Sequence, residues 1–265
     1  MKVTHFWTWK NSIRHIRAAR IEGVPYDRAL QQLTRHRSFA FSVQSSRASS
    51  LPLDCHPEWS VATGKRMFDS EPAGSFRAKL ADAIFTYGRL QARVTAAGLR
   101  LLGLHRQDWQ TPLKPYATCT VMMVGPDWAW DHFYELRLHD TAQPDVRKLA
   151  RLLTKASADT KPIEATVGCV YGPFLDTHIY LPPRSVELSD WPTDLLRAIY
   201  RVSRTSTNKT ELPSDEVVRR AVCRLFRDKH ASPFEFFVVA LPYGASGEGI
   251  YHGTPFLSLR DCLSL

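Results

Sequence analysis

The residues best suited to chemistry form a basic cluster near the start of the chain. Arg35-His36-Arg37 is followed, after seven intervening residues, by Ser45-Ser46-Arg47. Three arginines this close together repel one another, and a protein core does not accept them unpaired. Each guanidinium group presents several donors in a fixed fork that fits phosphate and carboxylate oxygens. The cluster therefore predicts a pocket for a phosphorylated ligand, although charge density alone would equally allow a surface basic stripe with salt bridges.

The spacing of this cluster resembles the signature of the flavin-dependent thymidylate synthases, in which Arg-His-Arg is followed after seven residues by serine. Gln32 stands ahead of the cluster, as a glutamine does three positions before the motif in that family. The segment Ile21-Glu22-Gly23-Val24 resembles the strand that leads into the motif there. We therefore expect a strand to run into the cluster.

Two further segments resemble motifs of the same family. Leu136-Arg137, followed by Ala142-Gln143-Pro144-Asp145-Val146, is similar to its Leu-Arg and Ala-Gln-x-Glu-Ile helix junction. Arg201-Val202-Ser203, followed by His230-Ala231-Ser232-Pro233-Phe234-Glu235, is similar to its flavin segment. That flavin segment precedes Arg-His-Arg in many members and follows it here. We therefore predict a circularly permuted motif order, as in some members of the family, within a single domain over residues 1–265.

The resemblance implies where the matching residues act. In this family FAD, nucleotide and folate meet in a cleft built by several chains of a homotetramer. The residues expected at the flavin are Arg35, His36, Arg37, Ser38, His132, Ser203, His230, Ser232 and Glu235. The residues expected at the nucleotide are Gln32, Arg35, Gln44, Ser45, Ser46, Arg47 and Arg137.

The chemistry that the resemblance implies gives Arg137 the catalytic role. Methylation at C5 requires the uracil ring to act as an enolate-like carbon nucleophile, and a fixed cation beside O2, O4 or N3 stabilises the developing charge. Arginine suits this role because it keeps its charge near neutral pH. The resemblance further implies FAD as the cofactor, with methylenetetrahydrofolate and NADPH as co-substrates. The expected substrate is UMP or dUMP.

Each of these residues also has an ordinary structural interpretation. Arg137 could cap the carbonyl groups at a helix C-terminus, and His230 could simply end a helix, where a positive charge is favourable. Glu235 could be the solvent-facing residue of a strand. The joint spacing of the motifs favours the functional interpretation.

The chain also departs from the family pattern. Thr111 stands where the family has an arginine, with Lys114 or Arg106 as possible compensation, and Thr141 stands where it has a histidine. His132 replaces an asparagine, and Ala48 follows the motif where a tyrosine is common. These changes predict an altered substrate and an unaltered fold, as in the UMP methylase of polyoxin-type nucleoside antibiotic pathways, which resembles this family and accepts a ribonucleotide.

Composition limits the protein class. Hydrophobic residues make up 44% of the 265 positions and aromatic residues 11%, which indicates a packed core. No apolar run is long enough to cross a bilayer and the N-terminus lacks a signal-peptide pattern, so we expect a cytoplasmic protein without a membrane partner. The five cysteines have no CxxC spacing, which argues against a zinc site. None of them follows a proline, as the nucleophile of the folate-only thymidylate synthases does.

Two other function classes remain as alternatives. The net charge of +9 and the aromatic content would suit a single-stranded nucleic-acid-binding protein without catalysis. However, Trp128, Trp130, Phe133 and Tyr134 follow helical spacing and are predicted to lie mostly in the core, so we expect no nucleic-acid partner. The glycine-rich stretch 244–249 lacks the Lys-Ser/Thr of a P-loop and is predicted to be a turn. No HExxH motif supports zinc hydrolysis.

The family resemblance implies an α+β fold, with a central antiparallel or mixed sheet and long flanking helices. The start of the chain is predicted to be extended up to Val24, a helix to begin at Pro25, and residues 48–75 to form a long loop. The strongest helix is predicted over residues 76–104, and residues 117–124 form a run that favours a strand. The remaining predictions are helices at 126–137, 143–157, 191–203 and 214–229, loops with short strands at 158–190, a buried strand at 233–241 and an irregular tail.

Overall fold

The computed structural model describes residues 1–44, 51–62, 68–205 and 212–264. Its strands are β1 (Lys2–Asn11), β2 (Arg14–Pro25), β3 (Ala40–Val43), β4 (Ser60–Ala62), β5 (Phe68–Ser70), β6 (Thr118–Pro126), β7 (Ile163–Glu164), β8 (Cys169–Tyr171), β9 (Ile179–Tyr180), β10 (Val238–Ala240) and β11 (Phe256–Ser258). Its α-helices are α1 (Leu30–Leu33), α2 (Phe76–Leu101), α3 (Arg106–Trp109), α4 (Asp127–Leu138), α5 (Pro144–Ala158), α6 (Thr193–Ser203), α7 (Asp215–Arg227) and α8 (Leu259–Cys262). Four 3-10 helices cover Thr111–Tyr116, Leu188–Asp190, Ser232–Phe236 and Gly249–Tyr251.

A five-stranded sheet with the order β3-β6-β2-β1-β7 forms the centre of the fold. All of its pairings are antiparallel except that of β1 with β7, which is parallel. The strand β6 is buried along its whole length, and β3 forms one edge of the sheet. A second sheet has the order β11-β10-β8-β9, and β4 pairs with β5. The predicted α+β architecture, with a central sheet and flanking helices, is confirmed.

Each face of the central sheet carries its own core, because neighbouring residues of a strand point to opposite faces. Met122 and Val124 of β6 pack with Val202 of α6 and with the second sheet. Val121 and Met123 of the same strand pack with residues of α4 and α5. The short alternation along β6 therefore places α4 and α5 on one face and α6 and α7 on the other.

Helix α2 is confirmed, but most of its large apolar side chains do not face the core. The Ser75 hydroxyl accepts a hydrogen bond from the Ala78 amide and so begins the helix with an N-cap. Small residues face the rest of the protein, and at Gly88 an added Cβ would lie only 2.4 Å from the Tyr116 Oη atom. Large apolar side chains instead face outward. We call this set the α2 stripe; it consists of Phe76, Leu80, Tyr87, Leu90, Val94 and Leu101.

Several element boundaries differ from the sequence predictions. Pro25 ends β2, where it pairs with Thr118, so the following helix begins only at Leu30 and the prediction of a helix from Pro25 is wrong. The predicted loop at 48–75 contains the β4–β5 hairpin. The predicted strand at 233–241 begins as a 3-10 helix because Pro233 sits in its first turn, and only Val238–Ala240 is extended. The tail contains β11 and α8.

The other predicted elements are confirmed, and two of the four aromatic residues of α4 lie in the core. Trp130 and Phe133 are fully buried, whereas Trp128 is 42% exposed. Across the part of the chain that the structure describes, no helix combines the length and the apolar content needed to cross a membrane.

Candidate functional site

A direct contact between Arg137 and His36 joins two of the motifs found in the sequence. Arg137 lies in the last turn of α4, and His36 lies in the turn between α1 and β3. The Nε atom of Arg137 donates to the Nε2 atom of His36 at 3.0 Å. The Nη1 atom of Arg137 donates to the Oε1 atom of Gln32 at 3.3 Å. Two acceptors therefore hold the guanidinium plane in one orientation.

His36 is kept neutral by its surroundings. Its ring packs edge-to-face on Phe133, with centroids 5.1 Å apart, and more distantly on Phe39. Burial, followed by the nearby charges of Arg137 and His132, lowers the pKa of His36 to about 4. Near neutral pH its Nε2 atom is then a free acceptor for Arg137, and the ring proton lies on Nδ1.

The basic residues around this pair remain available to a ligand. Arg35 and Arg37 are exposed, and Ser38 is half-buried. Burial, together with the neighbouring charge of Arg35, lowers the pKa of Arg137, so these two guanidinium groups lie close enough to repel. Within the described residues no carboxylate pairs with either group, and such a cation pair is stabilised by binding an anion. The arrangement fits an anionic ligand with a flat, hydrogen-bonding edge.

The remaining residues of the first motif have different environments. Gln44 is buried, and its Oε1 atom accepts from the Thr120 amide at 3.0 Å while its own backbone amide donates to the Thr120 carbonyl at 2.8 Å. Its side-chain oxygen therefore extends the pairing of β3 with β6. Ser45, Ser46, Arg47 and Ala48 lie outside the described residues.

His132 and Thr141 lie on the outer part of α4 and just beyond it. His132 is exposed, and its Nδ1 atom lies 3.9 Å from the Glu135 carboxylate. Thr141, at the position of the family histidine, has its hydroxyl 2.9 Å from the Nδ1 atom of His139. A histidine is thus present beside this position, two residues earlier in the chain.

The residues predicted from the flavin segment form a second group. Ser203 ends α6, and its hydroxyl donates to the Tyr200 carbonyl at 2.7 Å. His230 and Ser232 are exposed. Glu235 forms an ion pair with Arg260, and its carbonyl accepts from the Tyr251 hydroxyl at 2.6 Å. Glu235 is therefore part of a 3-10 helix with a local structural partner, not the solvent-facing residue of a strand.

The two groups flank the edge strand β3 from opposite sides. The rings that contact His36 belong to the core beneath α4 and α5. The 3-10 helix Ser232–Phe236 packs on α6 and β3 and contributes Phe234 to the other core. On that side Ser42 of β3 approaches the Thr205 hydroxyl at 2.6 Å. The sheet edge therefore separates the two groups within one chain.

Gln110 is a candidate that the sequence analysis missed. Its side chain is 2% exposed, and neither its Oε1 nor its Nε2 atom has a hydrogen-bond partner among the described residues. A buried amide without partners is costly, and such groups call for a ligand or water. The available signal was its position beside Thr111, which stands where the family has an arginine. Thr111 itself donates its hydroxyl to the Gln107 carbonyl at 2.9 Å.

The chain is similar to a described protein family and to solved structures. The profile of a family described as thymidylate synthase complementing protein matches residues 18–163. This range includes the Arg-His-Arg cluster and Leu136-Arg137 but not the segment from Ser203 to Glu235. No curated protein matches this sequence. One solved structure is a crystal structure of the UMP/dUMP methylase PolB from Streptomyces cacaoi bound with 5-Br dUMP. Its sequence is 18% identical to this chain, and the TM-score is 0.41. The match covers 55% of this chain and 66% of the PolB chain, which is just under two thirds.

Proposed function

This chain belongs to the thymidylate synthase complementing protein family, whose profile spans more than half of it, and we propose that it methylates C5 of a uridylate nucleotide. The observation that carries the proposal is the fixed guanidinium group of Arg137, held by neutral His36 and by Gln32. Family membership confirms the resemblance seen in the sequence. The substrate, the cofactors and the residue roles are our proposal.

The geometry of Arg137 suits activation of a uracil ring. His36 accepts a hydrogen bond from Nε and Gln32 accepts one from Nη1, so the guanidinium group keeps further N–H donors for a ligand. These donors can reach O2 or O4, the two carbonyl acceptors that flank the N3–H group of uracil. Charge that develops on this edge as C5 becomes an enolate-like nucleophile is stabilised by a cation that is already oriented. The new bond to C5 would form as the one-carbon unit leaves its folate nitrogen, and the C5 proton would pass to solvent.

The exposed arginines suit the phosphate of the nucleotide and the phosphates of a dinucleotide cofactor. Arg35 lies beside Arg137, and Arg37 follows two residues later, so both guanidinium groups start from the same short turn. Phosphate oxygens accept such paired donors well. We propose Arg35 for the nucleotide and flavin, and Arg37 and Ser38 for the flavin.

The residues present fit FAD. The cationic turn around Arg35 lacks a carboxylate partner among the described residues, and an ion pair with Arg260 already holds the Glu235 side chain in place. We propose that Ser203, His230, Ser232 and Glu235 contact the flavin from their side of β3, with His132 on the other side. Reduced FAD, when bound, would supply the hydride, with methylenetetrahydrofolate supplying the carbon and NADPH restoring the reduced flavin. The residues of this chain would bind and orient these molecules and would exclude water from the site.

A homotetramer with shared sites is supported by the α2 stripe. Its members, with Ala83 and Ala97, alternate at spacings of four and three residues, which is the pattern of a helix-pairing seam. Leu80, Leu90 and Val94 are 51%, 55% and 63% exposed, and a run of large apolar side chains this long marks a protein interface. Association of copies would also allow the two groups that β3 separates in one chain to meet across an interface. The permuted single domain over residues 1–265 belongs to the same proposal.

The proposal is tested by the absorption spectrum and by NADPH oxidation. Purified protein, with added FAD if needed, should show the flavin spectrum and should oxidise NADPH faster when methylenetetrahydrofolate and dUMP or UMP are present. Measuring both nucleotides side by side decides the substrate. A protein that stays colourless after incubation with FAD would overturn the flavin mechanism.

A further inference from the structure

A cleft between α6 and α7 is lined by arginines. Its volume is about 540 Å³, and four of its eight lining residues are Arg204, Arg220, Arg224 and Arg227. No acidic residue lines it among the described parts of the chain. A basic helix face on a convex surface spreads its charges into solvent, whereas these arginines converge from two helices on one concavity. We call this feature the α6–α7 cleft.

Helical spacing places the arginines on one side of the cleft. Arg220, Arg224 and Arg227 are four and three residues apart, so they project from one face of α7. The opposite face of α7 is fixed by the buried residues Val218 and Val222. From α6, Tyr200 and Arg204 are four residues apart and line the facing wall. Packing of the two apolar faces therefore holds the cationic faces side by side.

The charges of the cleft are only partly balanced. Arg220 pairs with Glu216 at 2.6 Å and Arg227 with Asp228 at 3.4 Å, both at exposed positions where such pairs contribute little. Within the described residues, Arg204 and Arg224 have no carboxylate partner. The Arg204 guanidinium instead lies 5.5 Å from the centroid of the Tyr200 ring, which orients its fork over an aromatic surface. The guanidinium groups of Arg204 and Arg224 therefore remain without a neutralising carboxylate among the described residues.

We propose that the α6–α7 cleft binds a small molecule that carries at least two adjacent anionic groups, of the diphosphate or triphosphate class. Forks from two helices can each take a phosphate in a bidentate manner, and single phosphate groups would engage only one of them. The volume falls within the range of about 300–1,000 Å³ typical of small-molecule sites. The cleft and Arg137 lie over opposite faces of the central sheet. Because Arg204 directly follows Ser203, which we propose as a flavin contact, retention of FAD is measured as a separate readout.

Calorimetric titration of the full-length protein with inorganic pyrophosphate tests the proposal. We expect one site per chain and weaker binding of inorganic phosphate. Arg204→Gln and Arg224→Gln should each weaken pyrophosphate binding about tenfold, the effect of losing one charge-assisted fork. Arg151→Gln removes an exposed charge from α5 and should leave binding unchanged. The melting temperature of each variant shows that the fold is retained.

Four results would overturn the proposal. One is the absence of pyrophosphate binding. A second is an equal loss of binding in Arg151→Gln, which would indicate general charge attraction. A third is tighter binding of a deoxythymidine oligonucleotide with affinity that grows with its length, which would assign the cleft to nucleic acid. The fourth is loss of bound FAD in Arg204→Gln and Arg224→Gln, which would make the cleft part of the cofactor site. Arg204→Gln and Arg224→Gln variants that retain FAD but lose pyrophosphate binding would support the proposal.

Discussion

The Nε atom of Arg137 lies 3.0 Å from the Nε2 atom of His36 and donates a hydrogen bond to it. The two residues are far apart in sequence, in separate motifs, and meet because α4 and the turn after α1 pack over the same core. A neutral imidazole acceptor orients the guanidinium without cancelling its charge, as a carboxylate would. This contact gives the proposed catalytic arginine both a direction and an undiminished positive charge.

Arg137→Lys should therefore lower turnover strongly. Lysine keeps the charge but loses the Nε donor and the planar fork, so the charge developing on the uracil edge is no longer stabilised at a fixed position. We expect kcat to fall by about 100-fold, the cost of one preorganised electrostatic contact in the transition state. Steady-state rates with UMP and dUMP measure it, and Arg151→Lys on α5 is the matched control. A variant with wild-type kcat and a raised KM would limit Arg137 to binding.

Stability should depend on pH through His36. Its pKa in the folded protein is about 4, below the ordinary value of 6.5, so the unfolded chain binds more protons between these values. The stabilising effect of neutral His36 is then fully present above about pH 6.5 and is lost as the pH falls towards about 4.

Urea unfolding at a series of pH values measures this effect. The free energy of unfolding of His36→Gln should fall less steeply than that of the wild type as the pH is lowered through this window, because glutamine does not titrate. His252→Gln, at an exposed position, should keep the wild-type slope. Equal slopes in all three proteins would show that His36 is not held neutral.

Gln110→Met tests whether the buried amide meets a ligand. Methionine has a similar shape, and removing an amide without partners should leave the melting temperature unchanged or raise it. If the amide binds the nucleotide or a co-substrate, the KM for that molecule should rise. Gln91→Met, at an exposed position of α2, makes the same chemical change away from the site and is the control. A higher melting temperature with unchanged kinetic constants would contradict a ligand role.

The α2 stripe should control assembly. Replacing Leu90 and Val94 together by glutamate places charges at the centre of the seam, and burying them unpaired is costly. We expect a smaller assembly by light scattering, with reduced activity if the sites are shared between chains. Thr95→Glu, on the flank of the same helix, adds a charge outside the stripe and should preserve the assembly. An unchanged mass in the double variant would remove α2 from the interface.

Most of the long helices and the central strand could be predicted from the sequence. The helical spacing in α2, α4, α5, α6 and α7 predicted these helices correctly, and the apolar run at residues 117–124 predicted the central strand, because these elements have strong local patterns. The proximity of Gln32, His36 and Arg137 was expected only from the family resemblance. Ser45, Ser46 and Arg47 remain predictions outside the described residues.

Other features depended on tertiary contacts that no local pattern encodes. Periodicity in α2 indicated an apolar face but not whether that face meets the core or another chain. Pro25 suits the first turn of a helix, yet pairing with Thr118 keeps it in β2. Gln110 resembles any other polar residue until its burial is known. The ion pair of Glu235 with Arg260 likewise joins segments whose proximity the sequence does not show.

The most direct test of the central claim is mass spectrometry of the nucleotide product. The protein is incubated with FAD, NADPH, methylenetetrahydrofolate and either dUMP or UMP, in parallel with Arg137→Lys. We predict a nucleotide heavier by one methylene group, with the new methyl group at C5, and far less of it from the variant. Unmodified nucleotide after prolonged incubation with FAD-loaded protein, or equal product from both proteins, would contradict the account.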